Sequence, residues 1–203
     1  MADSAFDIKK FMDDSIKTVV APKEYFTTMP LTGGFIEPLI KAAIYGALAG
    51  VITFLWIIIG LGKITAMSGG AGLVAAGIGS LIITPIIGVA GLFIGGAIIL
   101  AISAIAGGKT DYEASVRVAS AIMVVMPIGA VFYFINSISF TLGALISMGI
   151  NLYSLWILFN ALITSLTAKE SVIKIVLGIL ALLALIGGLY MLLAVSVFAN
   201  LTS

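Results

Sequence analysis

Gly108-Lys109-Thr110 has the residue types that close a phosphate-binding loop: glycine to free the backbone and lysine to meet the phosphate charge. The spacing refuses that chemistry. Such a loop needs a glycine five positions before its second glycine, and Ser103 stands there. It also follows a strand, whereas this tripeptide follows an apolar run long enough to cross a bilayer. Asp111 and Glu113, next along, suit a hard cation, but two carboxylates on a short polar loop read as solvated charge. Histidine and cysteine are both absent, which removes thiolate nucleophiles, disulfides, thiolate metal sites and the usual general base near neutral pH. No carboxylate falls inside an apolar run, as intramembrane proteolysis would require. No catalytic, cofactor or metal site is expected. Asn200-Leu201-Thr202 fits a glycosylation sequon, but it sits beside the membrane, where an acceptor is hard to reach.

The polarity that the apolar runs do hold falls on one line. Gly143, Ser147, Asn151 and Ser154 recur at steps of four, four and three, so they share a helix face. Asn160, nine residues past Asn151, is turned about 180° away. Interhelical hydrogen bonding is the default reading of Ser147, Asn151 and Ser154; a solute-lining surface is the alternative.

The elements that position these residues are membrane helices. Of 203 residues, 62% are hydrophobic and 9% charged, with a mean hydropathy of +1.28. A soluble domain carries roughly 25% charge. Net charge is +1, so nucleic acid is not an expected partner. The fold class is an all-α integral membrane protein with five transmembrane helices, at about 39–61, 81–106, 115–136, 140–164 and 172–198. Residues 1–36 form a separate region, an amphipathic helix followed by a connector, and 37–203 form the membrane domain. The helix places Ile8, Phe11, Met12, Ile16 and Val19 on one side and Asp7, Lys10, Asp14 and Lys17 on the other, for a place at the interface or under the bundle. With an acidic start and no early apolar run, a cleavable signal peptide is not expected. Pro22, Pro30, Gly33, Gly34 and Pro38 make the connector irregular, and Glu37-Pro38 opens the first span.

Residues 62–106 exceed one span and fall short of two. Thr84-Pro85 reads as a helix start, and Pro85–Ala106 as one crossing. The glycine-rich piece at 67–84 is either a kinked helical extension of that span, the preferred reading, or a re-entrant segment. Pro127 orphans the carbonyl of Met123 and predicts a kink inside the third span. Asn136–Ser139 reads as a tight turn. Ala42-Gly46-Gly50, Gly88-Gly91-Gly95 and Ala184-Gly188 read as packing seams.

Five crossings put nine of the ten basic residues on one side, leaving only Lys63 opposite. The positive-inside rule then makes the N-terminus cytoplasmic and the C-terminus external.

Three stretches carry a family likeness. One is Val20 to Pro38, with Pro22, Tyr25-Phe26, Met29-Pro30 and Gly33-Gly34. The second is Gly107-Gly108-Lys109 with Tyr112, Arg117-Val118 and Pro127. The third is the passage from Trp156 to Lys174. With these the chain resembles the Yip-one domain family (Ypt-interacting protein), in particular its compact bacterial and archaeal members. The resemblance implies a non-enzymatic integral membrane protein, in the plasma (inner) membrane of a prokaryote or the endoplasmic reticulum and Golgi of a eukaryote. Eukaryotic relatives act in vesicle trafficking, contact Rab-type GTPases and form complexes with related proteins. This chain lacks their long N-terminal region and its acidic-Leu-Tyr-Gly-Pro motif, which argues against GTPase binding.

The expected function is a membrane organiser or adaptor. Its partners are the lipid bilayer and either related membrane proteins or a second copy. The candidate partner-binding loop is Gly107, Gly108, Lys109, Asp111, Tyr112 and Arg117. Pro30, Gly33, Gly34, Glu37, Pro38 and Pro127 are the structural motif. The alternative is a small transporter or channel that uses the Ser147-Asn151-Ser154 face.

Overall fold

The computed structural model describes residues 7–61 and 70–201, all its regular elements being helices. Five helical stretches are long and apolar enough to cross a membrane: Ile36–Ile58, Gly77–Ile105, Tyr112–Ile138, Phe140–Thr164 and Glu170–Tyr190. Lys63, residues 67–69 and Thr202 of the sequon lie outside the described residues.

Before the first span come α1 (Ile8–Val20) and α2 (Pro22–Thr28). Asp7 caps α1, its carboxylate accepting from the Lys10 N–H at 3.1 Å, and Pro22 opens α2 where its missing N–H costs nothing. Of the predicted apolar face of α1, only the Phe11 edge is buried. Phe11 stacks on Tyr45 with ring centroids 5.1 Å apart, and the Ser15 hydroxyl bonds the Tyr45 hydroxyl at 2.6 Å. Ile8, Met12 and Ile16 stay exposed. Burial pushes the Tyr25 phenol in α2 above its ordinary value, so it stays neutral.

The first span, α3 (Ile36–Ile58), begins three residues earlier than its hydropathy suggests, because Glu37 and Pro38 lie inside its first turn. The second, α4 (Gly70–Ile105), corrects a sequence reading. Thr84-Pro85 is not a helix start; the helix runs through it for 36 residues, about 54 Å. Residues 70–84 are therefore a helical extension, not a re-entrant segment. Tertiary packing overrides the local signal here. A Cβ on Gly46 would lie 2.8 Å from the Pro85 Cα, and one on Gly50 2.7 Å from the Ser80 carbonyl oxygen. The two backbones touch because α3 has no side chain there, and Ser80 adds a bond to the Gly50 carbonyl at 3.3 Å. Gly88 continues this seam against Ala42; Gly91 does not, having nothing within 4 Å of where a Cβ would sit.

The third span is broken into α5 (Tyr112–Ile122), α6 (Val125–Phe132) and the single turn α7 (Ile135–Ile138), which stands where a tight turn was expected. The first break falls at Met123–Val124, as Pro127 requires. The carbonyl that Pro127 cannot serve accepts instead from the Met126 N–H at 2.9 Å, a tighter i to i+3 bond. Ser139 caps α8 (Phe140–Thr164), and α9 (Glu170–Leu201) closes the bundle, with Gly188 packed on Met148. The deepest core gathers at one end, where Phe26, Leu92, Val116, Ile157, Leu162 and Ile173 come together from α2, α4, α5, α8 and α9. That end carries the connector and the loops 106–111 and 165–169.

Candidate functional site: a charged platform at one end of the bundle

Residues 114–121 of α5 are all buried, so Arg117 is carried into the protein and is only 5% exposed. Its guanidinium donates to Glu37 at 3.0 Å, to the Pro30 carbonyl at 3.4 Å and to the Gly34 carbonyl at 3.2 Å. Glu113, one turn back, lies 3.6 Å from the Arg117 Nε and accepts the Gly34 N–H at 2.6 Å. Glu37 also meets Lys41 at 2.9 Å, and Lys41, itself buried, lies 3.8 Å from Asp14 of α1. One run of alternating charge thus joins α1, the connector, α3 and α5. Three carboxylates surround two buried cations that would be costly alone, and the Arg117 Nε is left with the Glu113 charge at 3.6 Å but no hydrogen bond.

The connector's glycines follow from this. Gly33 has φ +130° and Gly34 φ +80°, and a Cβ on Gly33 would come 2.6 Å from the Arg117 guanidinium. Pro30 contributes its carbonyl, and Pro38 is buried in the first turn of α3.

The loop after α4 is built by a helix stop. Gly107, at φ +66°, bonds back to the Ala104 carbonyl while the Gly108 N–H reaches the Ser103 carbonyl at 2.8 Å. From there the chain is tied to the loop between α8 and α9: the Lys109 N–H donates to Leu166 at 2.7 Å, and the Lys169 N–H donates to Ala106 at 3.0 Å. Ser165 fixes the same layer to α2 through the Phe26 carbonyl at 2.6 Å. Asp111 caps α5, accepting from the Ala114 N–H at 3.2 Å. Tyr112, 38% exposed, donates to the Phe93 carbonyl at 3.1 Å and stands beside Phe35.

The six loop residues therefore divide. Lys109, Asp111 and Tyr112 are exposed; Gly107 and Gly108 shape the turn, with Lys169 beside Gly107; Arg117 points inward. Sequence reasoning passed over Glu113 as a partner of Arg117, and Lys41 and Asp14 as the continuation of its charge run through Glu37. Two signals were readable: Glu37 to Lys41 and Glu113 to Arg117 are each four apart, the spacing of a helical ion pair.

Ser147, Asn151 and Ser154 lie elsewhere, along a cleft in the spans. The Ser154 hydroxyl bonds the Asn151 carbonyl at 2.7 Å, within its own helix. Gly143 is packed on Asn136 instead, and Asn160 is buried on the far side, donating to the Trp156 carbonyl at 2.8 Å.

A family model described as the Yip1 domain matches residues 16–197, from α1 to α9. The chain belongs to the Yip1 domain family. It is an integral membrane protein of that family with five membrane-crossing helices. No curated protein matches the chain, and no solved structure does. The family match covers both the platform and the cleft.

Proposed function

We propose that this Yip1-domain protein is a non-enzymatic membrane organiser whose platform faces the cytoplasm and docks another membrane protein, a relative or a second copy. The observation that carries the reading is the bracing of Lys109, Asp111 and Tyr112. The loop that bears Lys109 and Asp111 is hydrogen-bonded to the 165–169 loop, which is bonded in turn to α2, and Tyr112 is held at the start of α5 by the Phe93 carbonyl. Such a surface binds without first paying the entropy of ordering a loop. Its mixed charge suits a polar, complementary partner rather than nucleic acid or an anionic surface.

Photocrosslinking amino acids placed at Asp111 and Tyr112 in native membranes test this. Discrete protein adducts from both positions are expected, lost when Lys109 and Lys169 are changed to Glu. Adducts no more abundant than those from lipid-facing Leu182 would overturn the reading.

A second reading, a small solute transporter or channel, draws on the cleft beside Ser147, Asn151 and Ser154. It requires solute flux in proteoliposomes that Asn151→Leu abolishes.

A further inference from the structure

Helix α1 leaves Ile8, Met12, Ile16 and Val20, each four residues after the last, more than half exposed. The helix is nonetheless fastened to the bundle, and the fastenings fix its direction. Phe11 and Ser15 meet Tyr45 of α3, and the Val19 carbonyl accepts from the Tyr153 hydroxyl of α8. Tyr45 is nine residues from the platform end of α3, about 14 Å, and Tyr153 eleven residues from that end of α8, about 17 Å. Two spans meet α1 at nearly one depth, so the helix lies across the bundle, in the plane of the membrane.

Its rotation about its own axis is fixed as well. Counting about 100° per residue from Phe11, which faces the bundle, Asp14 falls about 60° to one side and Lys10 about 100°. That side is turned toward the platform. Asp14 reaches Lys41, one turn nearer the platform than Tyr45, and Asp7, Lys10 and Asp14 share a hollow with Pro30, Glu37 and Lys41. Ile8, Met12 and Ile16 fall about 60°, 100° and 140° to the other side, the way α3 runs on into the membrane.

The surface they overlook faces lipid. Leu48, Val51, Leu55 and Ile58 make an exposed stripe along α3; Ile44, on the same face one turn nearer the platform, packs against the cluster of Phe11, Tyr45 and Val124. Helix α1 thus caps the end of a stripe that the bilayer covers. Exposed Tyr153 and Trp156 stack together at this level, the residue types that gather at a membrane–water boundary. A hydrocarbon core fits beneath. Gly88 of α4 packs against Ala42 and Gly46, level with Tyr45, and from Gly88 down to Gly70 the helix runs about 27 Å.

We infer that α1 is an in-plane membrane helix, with Ile8, Met12, Ile16 and Val20 inserted in the leaflet on the platform side and Asp7, Lys10 and Asp14 turned toward water. What it binds is the apolar part of the bilayer, not anionic headgroups: from Asp7 to Val20 three lysines balance three aspartates, so no net charge draws it to an anionic surface. Glu37, Lys41 and Arg117 stand on the platform side of this level, clear of the hydrocarbon core, where buried cations would be costly. The inference rests on the membrane-spanning fold and not on the docking reading, so each can fail alone.

The test places a nitroxide on single-cysteine variants of the full chain, which has no cysteine of its own, in phosphatidylcholine liposomes. Collisions with oxygen, which concentrates in lipid, are compared with collisions with a water-soluble nickel chelate. Met12→Cys and Ile16→Cys should collide mainly with oxygen, as lipid-facing Leu48→Cys does, and Lys10→Cys and Lys17→Cys mainly with nickel. Adding phosphatidylglycerol should leave this pattern unchanged. All five side chains are exposed, so the labels displace no packing. Nickel-dominated collisions at Met12 and Ile16 would overturn the inference by placing the stripe in water. Shielding from both reagents would overturn it by placing the stripe against a second protein. Oxygen-dominated collisions that appear only with phosphatidylglycerol would overturn insertion by apolar contact alone.

Discussion

Arg117 and Glu37 stand 80 residues apart in the chain and 3.0 Å apart in space, and the first turn of α3 is locked to the second turn of α5 through them. Because the same guanidinium holds the Pro30 and Gly34 carbonyls, the connector is folded onto the bundle rather than hanging from it. Arg117→Met leaves those acceptors unserved and Glu37 sharing only Lys41. Glu37 and Glu113 are part-exposed and regain water, so the loss is that of the buried carbonyl acceptors and charged hydrogen bonds, about 1–3 kcal/mol. Thermal unfolding in detergent should show a loss of that size, and Arg117→Lys should recover only part of it, lacking the forked donors. A loss below about 0.5 kcal/mol, the scale of an ordinary surface change, would contradict the assignment.

Gly33 and Gly34 give a sharper test. Both sit at positive φ, so alanine at either is strained by about 1 kcal/mol, but only at Gly33 would the new methyl meet Arg117. Gly33→Ala should therefore destabilise more than Gly34→Ala. In an Arg117→Met background that difference should shrink to its backbone part, since φ +130° is further than φ +80° from the left-handed region, and a double-mutant cycle reads the change directly.

The α3–α4 seam predicts a contrast among glycines. Gly46→Leu drives a side chain into the Pro85 backbone and should cost about 1–3 kcal/mol or prevent folding. Gly149→Leu, with nothing within 4 Å, should leave thermal stability unchanged. Equal effects at both sites would refute the close approach.

Most of the architecture was legible because hydrophobic length is a strong signal: the fourth span was placed at both ends, and the break before Pro127 followed from one missing N–H. What misled was local chemistry that a neighbour overruled. Thr84-Pro85 looks like a helix start, yet α3 presents bare backbone at Gly46 and makes a continuous helix the better packing. Arg117 looks like a loop charge because it follows Asp111 and Glu113, but α5 turns it through a helical rotation into the core. Its carboxylate partner, Glu37, comes from another helix, and one chain's pattern does not reveal such pairings. The cleft was half legible: the spacing put Ser147, Asn151 and Ser154 on one face, but not that Gly91 and Met123 would close round it.

Gly108 tests whether the platform is one unit. A Cβ there would come 2.6 Å from the Ser103 hydroxyl and 2.7 Å from the Leu166 carbonyl. Gly108→Val should part the 106–111 loop from the 165–169 loop, raising protease cleavage near Lys109 and Lys169 while the helical content stays within a few per cent. Cleavage unchanged from the parent chain would mean that the two loops are not coupled.

The central claim is that this braced, charged face lies in the cytoplasm, opposite the far end of α3. Because the chain has no cysteine, single-cysteine variants at Lys109, Lys169 and Ile59 report this cleanly with a membrane-impermeant maleimide. Lys109→Cys and Lys169→Cys should be protected in intact cells and labelled in inverted vesicles, with Ile59→Cys the reverse. Labelling of Lys109→Cys from outside, or of Ile59→Cys from the same side as Lys109→Cys, would contradict the account.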